Sequence, residues 1–367
     1  MDFLASRRDF LAGMCAASIL GSPKVDCFVD EPAPALPPRR LLGTAVRPEQ
    51  LASANPLREV IHADCDLLVP EYHGQWSAVE WRRGDPWFGN YDAIVDHAAV
   101  RGAMVRGHSL LWEQMTPDWA RAALRHDADW RVIARHFAHL LPRYRGRIAE
   151  WVVVNEMIDT EDGHAGLRRT GFQRAFGNDY VRRALDTAHA LDPDARLMIN
   201  DYSLLHDNPV DERRRVALLT LVERLKRDGA PLHAVGLQGH LELAKGALVQ
   251  PRVERFLAEL AATGVRIDIT ELDVLEDDRR LPLARRDERV ADLARSLLDV
   301  ALEQPALASV TTWCLDDGNS WLQERAPATL AAQRCSPIDC HNVNRGLPYD
   351  GALRPKPLRD VVARVRV

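Results

Sequence analysis

The chain has 367 residues and a formal net charge of −5 at pH 7, and 46% of its residues are hydrophobic. This length suits one large α/β domain. The weakly acidic balance, with lysines and arginines dispersed along the chain, argues against a nucleic-acid partner and favours an uncharged or weakly charged ligand. Beyond the N-terminus no stretch approaches the roughly 18 apolar residues of a membrane span, so we expect no membrane contact in the mature protein.

The first part of the chain is predicted to be an export signal. Arg7 and Arg8 open the segment SRRDFLAGMCAASILG, which is too short to span a bilayer and resembles a signal read by the twin-arginine export machinery. The Pro-rich DEPAPALPPRR that follows is typical of a flexible spacer. The alternative is a basic amphipathic first helix. We therefore expect residues 1–38 to be signal and spacer, residues 39–367 to be the folded domain, and the mature protein to be periplasmic or secreted.

From residue 40 onward, short apolar runs rich in β-branched residues alternate with longer amphipathic segments. The predicted strands are residues 41–46, 66–70, 103–107, 150–155, 196–200, 234–238, 266–270 and 309–315. A helix is predicted over 210–228, because Asn208 and Pro209 suit its N-terminal cap and Gly229 suits its end. Eight strands alternating with helices imply a parallel sheet closed into a single (β/α)8 TIM barrel of the α/β class.

In such a barrel the active site lies at the C-terminal ends of the strands. Polar and aromatic residues follow the predicted strands at these ends. In chain order they are Glu71, His108, Trp112, Asn155, Glu156, Asp201, Gln238, His240, Glu271, Trp313 and Trp321, with Asp273 near the same strand end as Glu271. The pattern therefore predicts one site at the mouth of the barrel that contains five acidic residues, two histidines and three tryptophans.

Glu156 and Glu271 end the fourth and seventh predicted strands, and a barrel would bring them to the same mouth. Two facing carboxyl groups are the minimum equipment for glycoside hydrolysis, with retention at a separation of about 5–5.5 Å and inversion at about 6.5–9.5 Å; the sequence leaves the separation open. We expect Glu271 to be the ionised nucleophile, held by His240, and Glu156 to be the acid with a raised pKa. Asn155 would bond a sugar hydroxyl, and tryptophans suit the flat face of a pyranose. This chemistry needs neither a metal nor a cofactor.

Seven segments of the chain carry a resemblance to a known enzyme family. They are GTAV, RGHSLLWEQMTPDW, WVVVNE, INDYSL, GLQGHL, ITELDV and TTWCLDDGNSWL. In this order they resemble the signature segments of the glycoside hydrolase family 10 xylanases, from about residue 41 to the RPKPL that ends at residue 358. The resemblance implies a retaining endo-1,4-β-xylanase that cleaves xylan or xylo-oligosaccharides through a covalent glycosyl-enzyme intermediate, with residues 39–367 as its catalytic domain.

The resemblance also implies roles for individual residues. Glu156 matches the acid/base, Glu271 the nucleophile, and His240 the partner of the nucleophile. Asn155 matches the residue at the sugar 2-hydroxyl. The walls of the subsite for the cleaved sugar would be His108, Trp112, Gln238, Trp313 and Trp321.

The chain departs from the family pattern after the second strand. The family usually has Glu-Asn-x-x-Lys-Trp there, whereas this chain reads PEYHGQW. Glu71 therefore matches, while Tyr72 and Gln75 replace the amide and the ammonium that hold sugars on the non-reducing side of the cut. We expect all three to contact the substrate. Two further departures are Glu113, where a histidine is common, and Leu322, where an arginine often follows the last tryptophan.

These departures leave two alternatives to a xylanase. The same retaining machinery would suit another β-glycoside, such as a plant glycoside or a different polysaccharide. An alternative of another class is a sugar-binding barrel without turnover, against which the presence of both carboxylates argues.

The cysteines do not form a disulfide scaffold or a metal-binding spacing. Cys65 and Cys314 lie in apolar, strand-like contexts and are predicted to be buried free thiols. Cys335 and Cys340 are close in sequence, and either a bond between them or two free thiols fits the four intervening residues.

Overall fold

A computed structural model describes residues 39–324 and 343–366 of the chain. The strands in these ranges are β1 (Leu41–Val46), β2 (Leu67–Pro70), β3 (Met104–Gly107), β4 (Glu150–Asn155), β5 (Arg196–Asp201), β6 (Ala234–Leu237), β7 (His240–Glu242), β8 (Arg266–Leu275) and β9 (Leu307–Thr312). The predicted signal and spacer, and the cysteine pair Cys335 and Cys340, lie outside the described residues, so both stay predictions.

Eight of these strands form a closed parallel barrel. Their order is β6-β5-β4-β3-β2-β1-β9-β8, and the pairing of β6 with β8 closes the ring. All eight positions were predicted to within a few residues, because each strand is a short run of apolar and β-branched residues buried on both faces. The prediction of a (β/α)8 barrel is confirmed.

Helices surround the barrel. Within the described ranges they are α1 (Leu57–Asp64), α2 (Trp76–Val79), α3 (Gly89–Arg101), α4 (Asp118–Asp127), α5 (Arg131–Leu140), α6 (Gly171–Phe176), α7 (Tyr180–Leu191), α8 (Pro209–Arg227), α9 (Gln250–Ala262), α10 (Leu283–Ala301) and α11 (Pro357–Ala363). None of the helices in this part of the chain is long and apolar enough to cross a membrane.

Helix α8 shows how the sequence sets these boundaries. The Asn208 side chain accepts hydrogen bonds from the backbone N–H groups of Val210 and Asp211, both at 3.0 Å, and so satisfies two donors that have no partner inside the helix. Beyond the last turn, Gly229 takes a left-handed conformation with φ of 72°, which costs a glycine little. The helix predicted over 210–228 is therefore confirmed.

The seventh barrel strand is longer than the sequence predicted. Strand β8 runs to Leu275, so Glu271 lies inside the strand and not at its tip. The reason is β7, which pairs in parallel with Asp273 through Leu275 and so gives the outer half of β8 a partner after β6 has ended. The register with β9 also shifts between Ile269 and Leu272, at the position of Glu271.

The last barrel strand differs in the opposite direction. Strand β9 spans Leu307–Thr312, whereas the sequence predicted residues 309–315. Trp313 and Cys314 therefore follow the strand, and Cys314 has a positive φ of 83°. Because the strand ends one residue before Trp313, that side chain belongs to the mouth of the barrel.

A buried ionic cluster occupies the barrel interior below the mouth. Arg106 on β3 donates to Glu150 at 2.7 Å, to Asp268 at 2.8 Å and to the Ser309 hydroxyl at 2.8 Å. These residues come from β3, β4, β8 and β9, so one guanidinium joins four strands. Buried charges of this kind are tolerated when they are paired, and Arg106 is paired with both carboxylates of this cluster.

Candidate active site

A cavity of about 470 Å³ opens at the C-terminal ends of the barrel strands. Its walls are Tyr72, Gln75, His108, Trp112, Gln114, Asn155, Glu156, Tyr202, Ser203, Gln238, His240, Glu242, Glu271, Trp313 and Trp321. Of the residues predicted at the mouth of the barrel, all except Glu71, Asp201 and Asp273 are among them. A larger groove of about 690 Å³ lies outside the barrel between α8 and α9 and includes none of the predicted residues.

Glu271 is held by hydrogen bonds on both carboxylate oxygens. Asn200 Nδ2 donates to Oε1 at 2.6 Å, and His240 Nε2 lies 3.2 Å from Oε2. Burial by itself would raise the pKa of Glu271, but the hydrogen bond and positive charge of His240, together with the bond from Asn200, hold its pKa below the usual value. Glu271 is therefore ionised at neutral pH and cannot rotate freely.

His240 links Glu271 to a second buried carboxylate. Its Nδ1 lies 2.8 Å from Asp273 Oδ1, and Asp273 is fully buried. Although burial disfavours the imidazolium, Asp273 and then Glu271 raise the pKa of His240 to about 10. His240 is thus a cation at neutral pH, and both ring nitrogens donate. Trp321 completes this chain of contacts by donating from Nε1 to Asp273 Oδ2 at 2.6 Å.

Glu156 has different surroundings. It follows β4 in a left-handed conformation with φ of 58°, and the amides of Gln238 and Gln114 each lie 3.4 Å from one of its oxygens. Burial raises the pKa of Glu156; the Trp112 indole opposes this, and the negative charges of Asp201 and Glu271 add to it. Glu156 therefore holds a proton to higher pH than an ordinary glutamate does.

The two glutamates are consequently biased to opposite protonation states within one cavity. This is the division expected for a pair in which one carboxylate attacks while the other carboxylic acid donates a proton. The positions agree with the sequence prediction, and the acid and nucleophile roles themselves are proposed below.

Asn200 is a site residue that the sequence analysis missed. Its Nδ2 donates both to Glu271 and to Asn155 Oδ1, at 2.6 and 2.9 Å, and its own Oδ1 accepts from the Thr270 hydroxyl at 2.6 Å. Gly236 leaves room for it, since a Cβ there would lie 2.3 Å from Asn200 Oδ1. The available signal was a polar residue within the apolar strand sequence RLMIND, directly before Asp201; in the structure this asparagine is fully buried.

Gln238 connects the hydrogen-bond network around Glu271 and Asn155 to Glu156. Its Nε2 lies 3.4 Å from both Asn155 Oδ1 and Glu156 Oε1, and it is almost fully buried. Asn155 therefore receives donors from two sides. Asn155 also lines the cavity, where the sequence predicted a contact with a sugar hydroxyl.

Glu71 lies behind the cavity wall and is bound to Arg47, so, contrary to the sequence prediction, it does not line the cavity. Arg47 binds it with two hydrogen bonds, at 2.7 and 3.0 Å, and only 1% of Glu71 is exposed. The Arg47 guanidinium also lies 5.2 Å from the centre of the Tyr72 ring, which is 38% exposed at the cavity. Arg47 was not predicted as a site residue, and in this structure it fixes the position of Tyr72.

Gln75 lies at the same end of the cavity. Its Nε2 donates to the Glu71 carbonyl at 3.2 Å, whereas its buried Oε1 has no hydrogen-bond partner. A buried acceptor left without a donor is costly, so this oxygen is an unsatisfied hydrogen-bonding group beside the cavity. The structure therefore places Gln75 where the sequence analysis expected a substrate contact.

Aromatic residues form the opposite wall. Trp313 packs with Ala45 and Val69, and Trp321 packs against this group. The His108 ring lies 5.2 Å from the Trp313 ring in an edge-to-face arrangement, and burial lowers the pKa of His108. His108 is thus a neutral side chain beside the ionised Glu271.

The two remaining departures from the family pattern have structural roles. Glu113 Oε2 accepts from the backbone N–H of Gly171 at the start of α6 at 3.0 Å, and its Oε1 accepts from Arg121 at 3.2 Å. Leu322 is 2% exposed and packs beside Gly346. Neither side chain lines the cavity.

The described residues also answer the questions about thiols and metal ligands. Cys65 and Cys314 are buried and free, as predicted. In residues 39–324 and 343–366, no group of three or more His, Cys, Asp or Glu side chains is arranged to hold a metal ion.

A parallel barrel that carries, in one cavity at its mouth, one glutamate held ionised and a second glutamate whose pKa is raised by burial has the layout of a glycoside hydrolase. The sequence profile of glycosyl hydrolase family 10 matches residues 36–365. The chain belongs to glycosyl hydrolase family 10.

Individual relatives agree with this assignment. The chain is 32% identical to a beta-1,4-xylanase of Dictyoglomus thermophilum over 70% of its own length and 72% of the relative. It is 28% identical to endo-1,4-beta-xylanase A of Thermoanaerobacterium saccharolyticum, of which it spans only 25%. A solved structure of a mutant of the intracellular xylanase TsXylA from T. saccharolyticum, in complex with xylotriose, superimposes with a TM-score of 0.73 at 26% identity, covering 88% of this chain and 95% of that one.

Proposed function

We propose that the protein is a retaining glycosidase of the endo-1,4-β-xylanase type, which cleaves β-1,4-xylosidic bonds in xylan or xylo-oligosaccharides. The observation that carries the proposal is the pair of glutamates in one cavity, of which Glu271 is held ionised by Asn200 and His240 while Glu156 is biased to the acid form. Membership of family 10 and the similarity to xylanases support both the mechanism and the substrate.

In the first step Glu271 Oε attacks the anomeric carbon of the sugar. The bond from that carbon to the glycosidic oxygen breaks, and Glu156 gives its proton to the departing oxygen, so the leaving sugar departs as a neutral alcohol. His240 keeps Glu271 ionised and in place for this attack, because it donates to Oε2 at 3.2 Å. The product is a covalent glycosyl ester on Glu271.

In the second step water cleaves this ester. Glu156, now a carboxylate, removes a proton from the water, and the water oxygen forms a bond to the anomeric carbon as the bond to Glu271 breaks. Two displacements at one carbon restore the original configuration. Each residue therefore acts twice, and each protonation state required in one step is produced by the other.

A substrate panel tests this function. We expect the purified protein to release reducing sugar from xylan and chromophore from an aryl β-xylobioside, and to act far more slowly on β-glucan and on small plant glycosides. Glu271→Gln provides the matched inactive control, since it keeps the shape of the side chain but removes the nucleophilic carboxylate. Turnover confined to a non-xylan glycoside would show that the substrate is that glycoside and not xylan. The absence of any turnover would favour a sugar-binding barrel without catalysis.

We also propose that the precursor is exported by the twin-arginine machinery and that the mature enzyme is periplasmic or secreted. The proposal rests on Arg7 and Arg8 and on the short apolar segment after them. Replacing both arginines with lysine keeps the charge and should trap the precursor in the cytoplasm, whereas lysine at Arg39 and Arg40 should not change the periplasmic yield. Equal periplasmic yields for both variants would exclude this route.

A further inference from the structure

The loop that follows Glu156 returns to it. Residues 157–168 fold back as a hairpin, with an antiparallel bridge between Ile158 and Leu167 and a hydrogen bond of 2.8 Å from the Arg168 N–H to the Met157 carbonyl. This turn brings the Arg168 side chain beside the glutamate twelve positions earlier. Arg168 does not line the cavity, and the mechanism above does not use it.

Arg168 makes hydrogen bonds to two residues that line the cavity. Its Nε donates to the backbone carbonyl of Glu156 at 3.0 Å, and its Nη2 donates to the Tyr202 hydroxyl at 2.5 Å. Its guanidinium also lies 5.6 Å from the centre of the Tyr202 ring. Glu156 and Tyr202 both line the cavity, so a single planar group holds a catalytic glutamate and an aromatic wall at a fixed separation.

The Glu156 backbone needs such support. A φ of 58° is unfavourable for a residue with a side chain, and it persists only where the surroundings impose it. The Glu156 N–H is fixed by the Asn200 carbonyl at 2.8 Å, and Arg168 fixes its carbonyl. With both peptide groups held, the carboxyl group is directed into the cavity.

We infer that Arg168 is a positioning residue for proton transfer: it orients Glu156 and couples this orientation to Tyr202 on the wall of the cavity. The inference deepens the proposed function and rests on it, since Glu156 must be the acid. Arg168 touches neither the substrate nor the reacting atoms; it acts through the glutamate and the tyrosine.

Charge gives this role a measurable signature. The ionisable groups that face Glu156 are Asp201 on β5 and Glu271 on β8, together with Arg168 from its own loop; Arg214 is bound to Asp201, and His240 to Glu271. Among the described residues that face Glu156, Arg168 is a cation whose guanidinium donates to a backbone carbonyl and a hydroxyl and not to a carboxylate. Removing it would favour the neutral form of Glu156 and extend the acid form to higher pH.

The test compares Arg168→Gln and Arg168→Lys with Arg169→Gln, a neighbouring exposed arginine, on aryl β-xylobiosides with good and poor leaving groups. We expect Arg168→Gln to lower kcat/KM about tenfold or more on poor leaving groups and less than about threefold on good ones, which need little protonation. The basic limb of its pH profile should move to higher pH. Arg168→Lys should leave the basic limb of the pH profile in place, because the positive charge is kept. It should still lower kcat/KM on poor leaving groups, because an ammonium group lacks the planar geometry that holds both the Glu156 carbonyl and the Tyr202 hydroxyl. Arg169→Gln should behave as the unmodified protein does.

Three outcomes overturn the inference. Arg168→Gln that behaves like Arg169→Gln shows that Arg168 has no role, and equal losses on both substrates with an unmoved pH limb show a merely structural role. The third outcome comes from a double-mutant comparison with Tyr202→Phe, which removes only the hydroxyl that Arg168 binds. The loss from Arg168→Lys should be smaller in that background, and additive losses would show that the two residues are not coupled.

The proposed function fails separately, if the unmodified protein releases nothing from any aryl β-glycoside. The inference then falls with it. An active protein that is insensitive to Arg168→Gln refutes only the inference.

Discussion

His240 carries much of the difference between the two glutamates. It donates to Glu271, and its own positive charge is kept by Asp273, which raises the pKa of His240 to about 10 against the effect of burial. Glu271, the proposed nucleophile, is thus kept ionised by the positive charge of His240, which the negative charge of Asp273 stabilises. Glu156 has no comparable cationic donor on its carboxyl oxygens, which face two neutral amides.

This arrangement predicts the effect of His240→Asn on the pH profile. The pKa of Glu271 lies below its usual value, and Glu271 must be ionised to attack, so activity is present above that pKa and is lost as pH falls through it. Without the imidazolium the pKa of Glu271 rises, and the acidic limb of kcat/KM should move to higher pH. The exposed His126→Asn is the matched control. An acidic limb in the same place for both variants would show that His240 does not hold the charge of Glu271.

At the scale of strands and loops, sequence patterns located the elements well but did not locate their ends. Short runs of β-branched and aromatic residues such as WVVV are typical of buried strands, so their positions could be predicted. The extension of β8 depends instead on its pairing with β7, which is three residues long and has no recognisable sequence pattern. The prediction that Glu271 lies at a strand tip was therefore wrong. It nevertheless points into the cavity, because its position along the parallel barrel was correct.

Contacts between strands explain what the sequence could not show at the site. Asn200 bonds to residues on β4 and β8, and Arg47 bonds to Glu71 on the neighbouring segment after β2. No local spacing encodes such pairs, since they are far apart in sequence and meet only when the barrel closes. Residues such as Glu156 and His240 could be predicted because the family motifs mark the positions that the closed barrel brings together.

The segment after β2 leads to a prediction about substrate grip. Tyr72 is held beside Arg47, and the Oε1 of Gln75 lacks a donor, where the family usually has an amide and an ammonium. Since loss of a charged hydrogen bond costs roughly 1.5–3 kcal/mol, Tyr72→Asn with Gln75→Lys should raise kcat/KM on xylo-oligosaccharides about tenfold or more. Tyr72→Phe, which keeps the ring, is the control. A fall in xylan activity with the fold retained would mean that Tyr72 and Gln75 are themselves positive determinants.

For the whole molecule, buried histidines tie stability to pH. His136 on α5 is fully buried; its ring stacks on Trp76 with centres 4.4 Å apart, and its Nε2 lies 3.0 Å from the Leu110 carbonyl. Burial lowers the pKa of His136 from 6.5 to about 3. The folded state thus keeps this ring neutral at a pH where the unfolded chain binds a proton.

The resulting prediction concerns the free energy of unfolding. Stability from His136 is present above its unfolded pKa of 6.5 and is lost as pH falls towards 3, which amounts to at most about 2 kcal/mol between pH 7 and pH 5. His136→Gln should lower stability at pH 7 but flatten its pH dependence. Urea unfolding at both pH values measures this, with the exposed His126→Gln as control. An unchanged slope for His136→Gln would show that other groups set the acid sensitivity.

The central claim is that Glu271 is the nucleophile and Glu156 the acid, and azide rescue tests it most directly. Glu271→Gly should be inactive on an aryl β-xylobioside while keeping its fold, and azide should restore chromophore release by entering the space left by the side chain. The account predicts a glycosyl azide of inverted, α configuration from this variant, and a β-configured azide from Glu156→Ala, where the covalent step is intact. Near-normal activity of Glu271→Gly without azide, or a β-configured azide from it, would contradict the assignment.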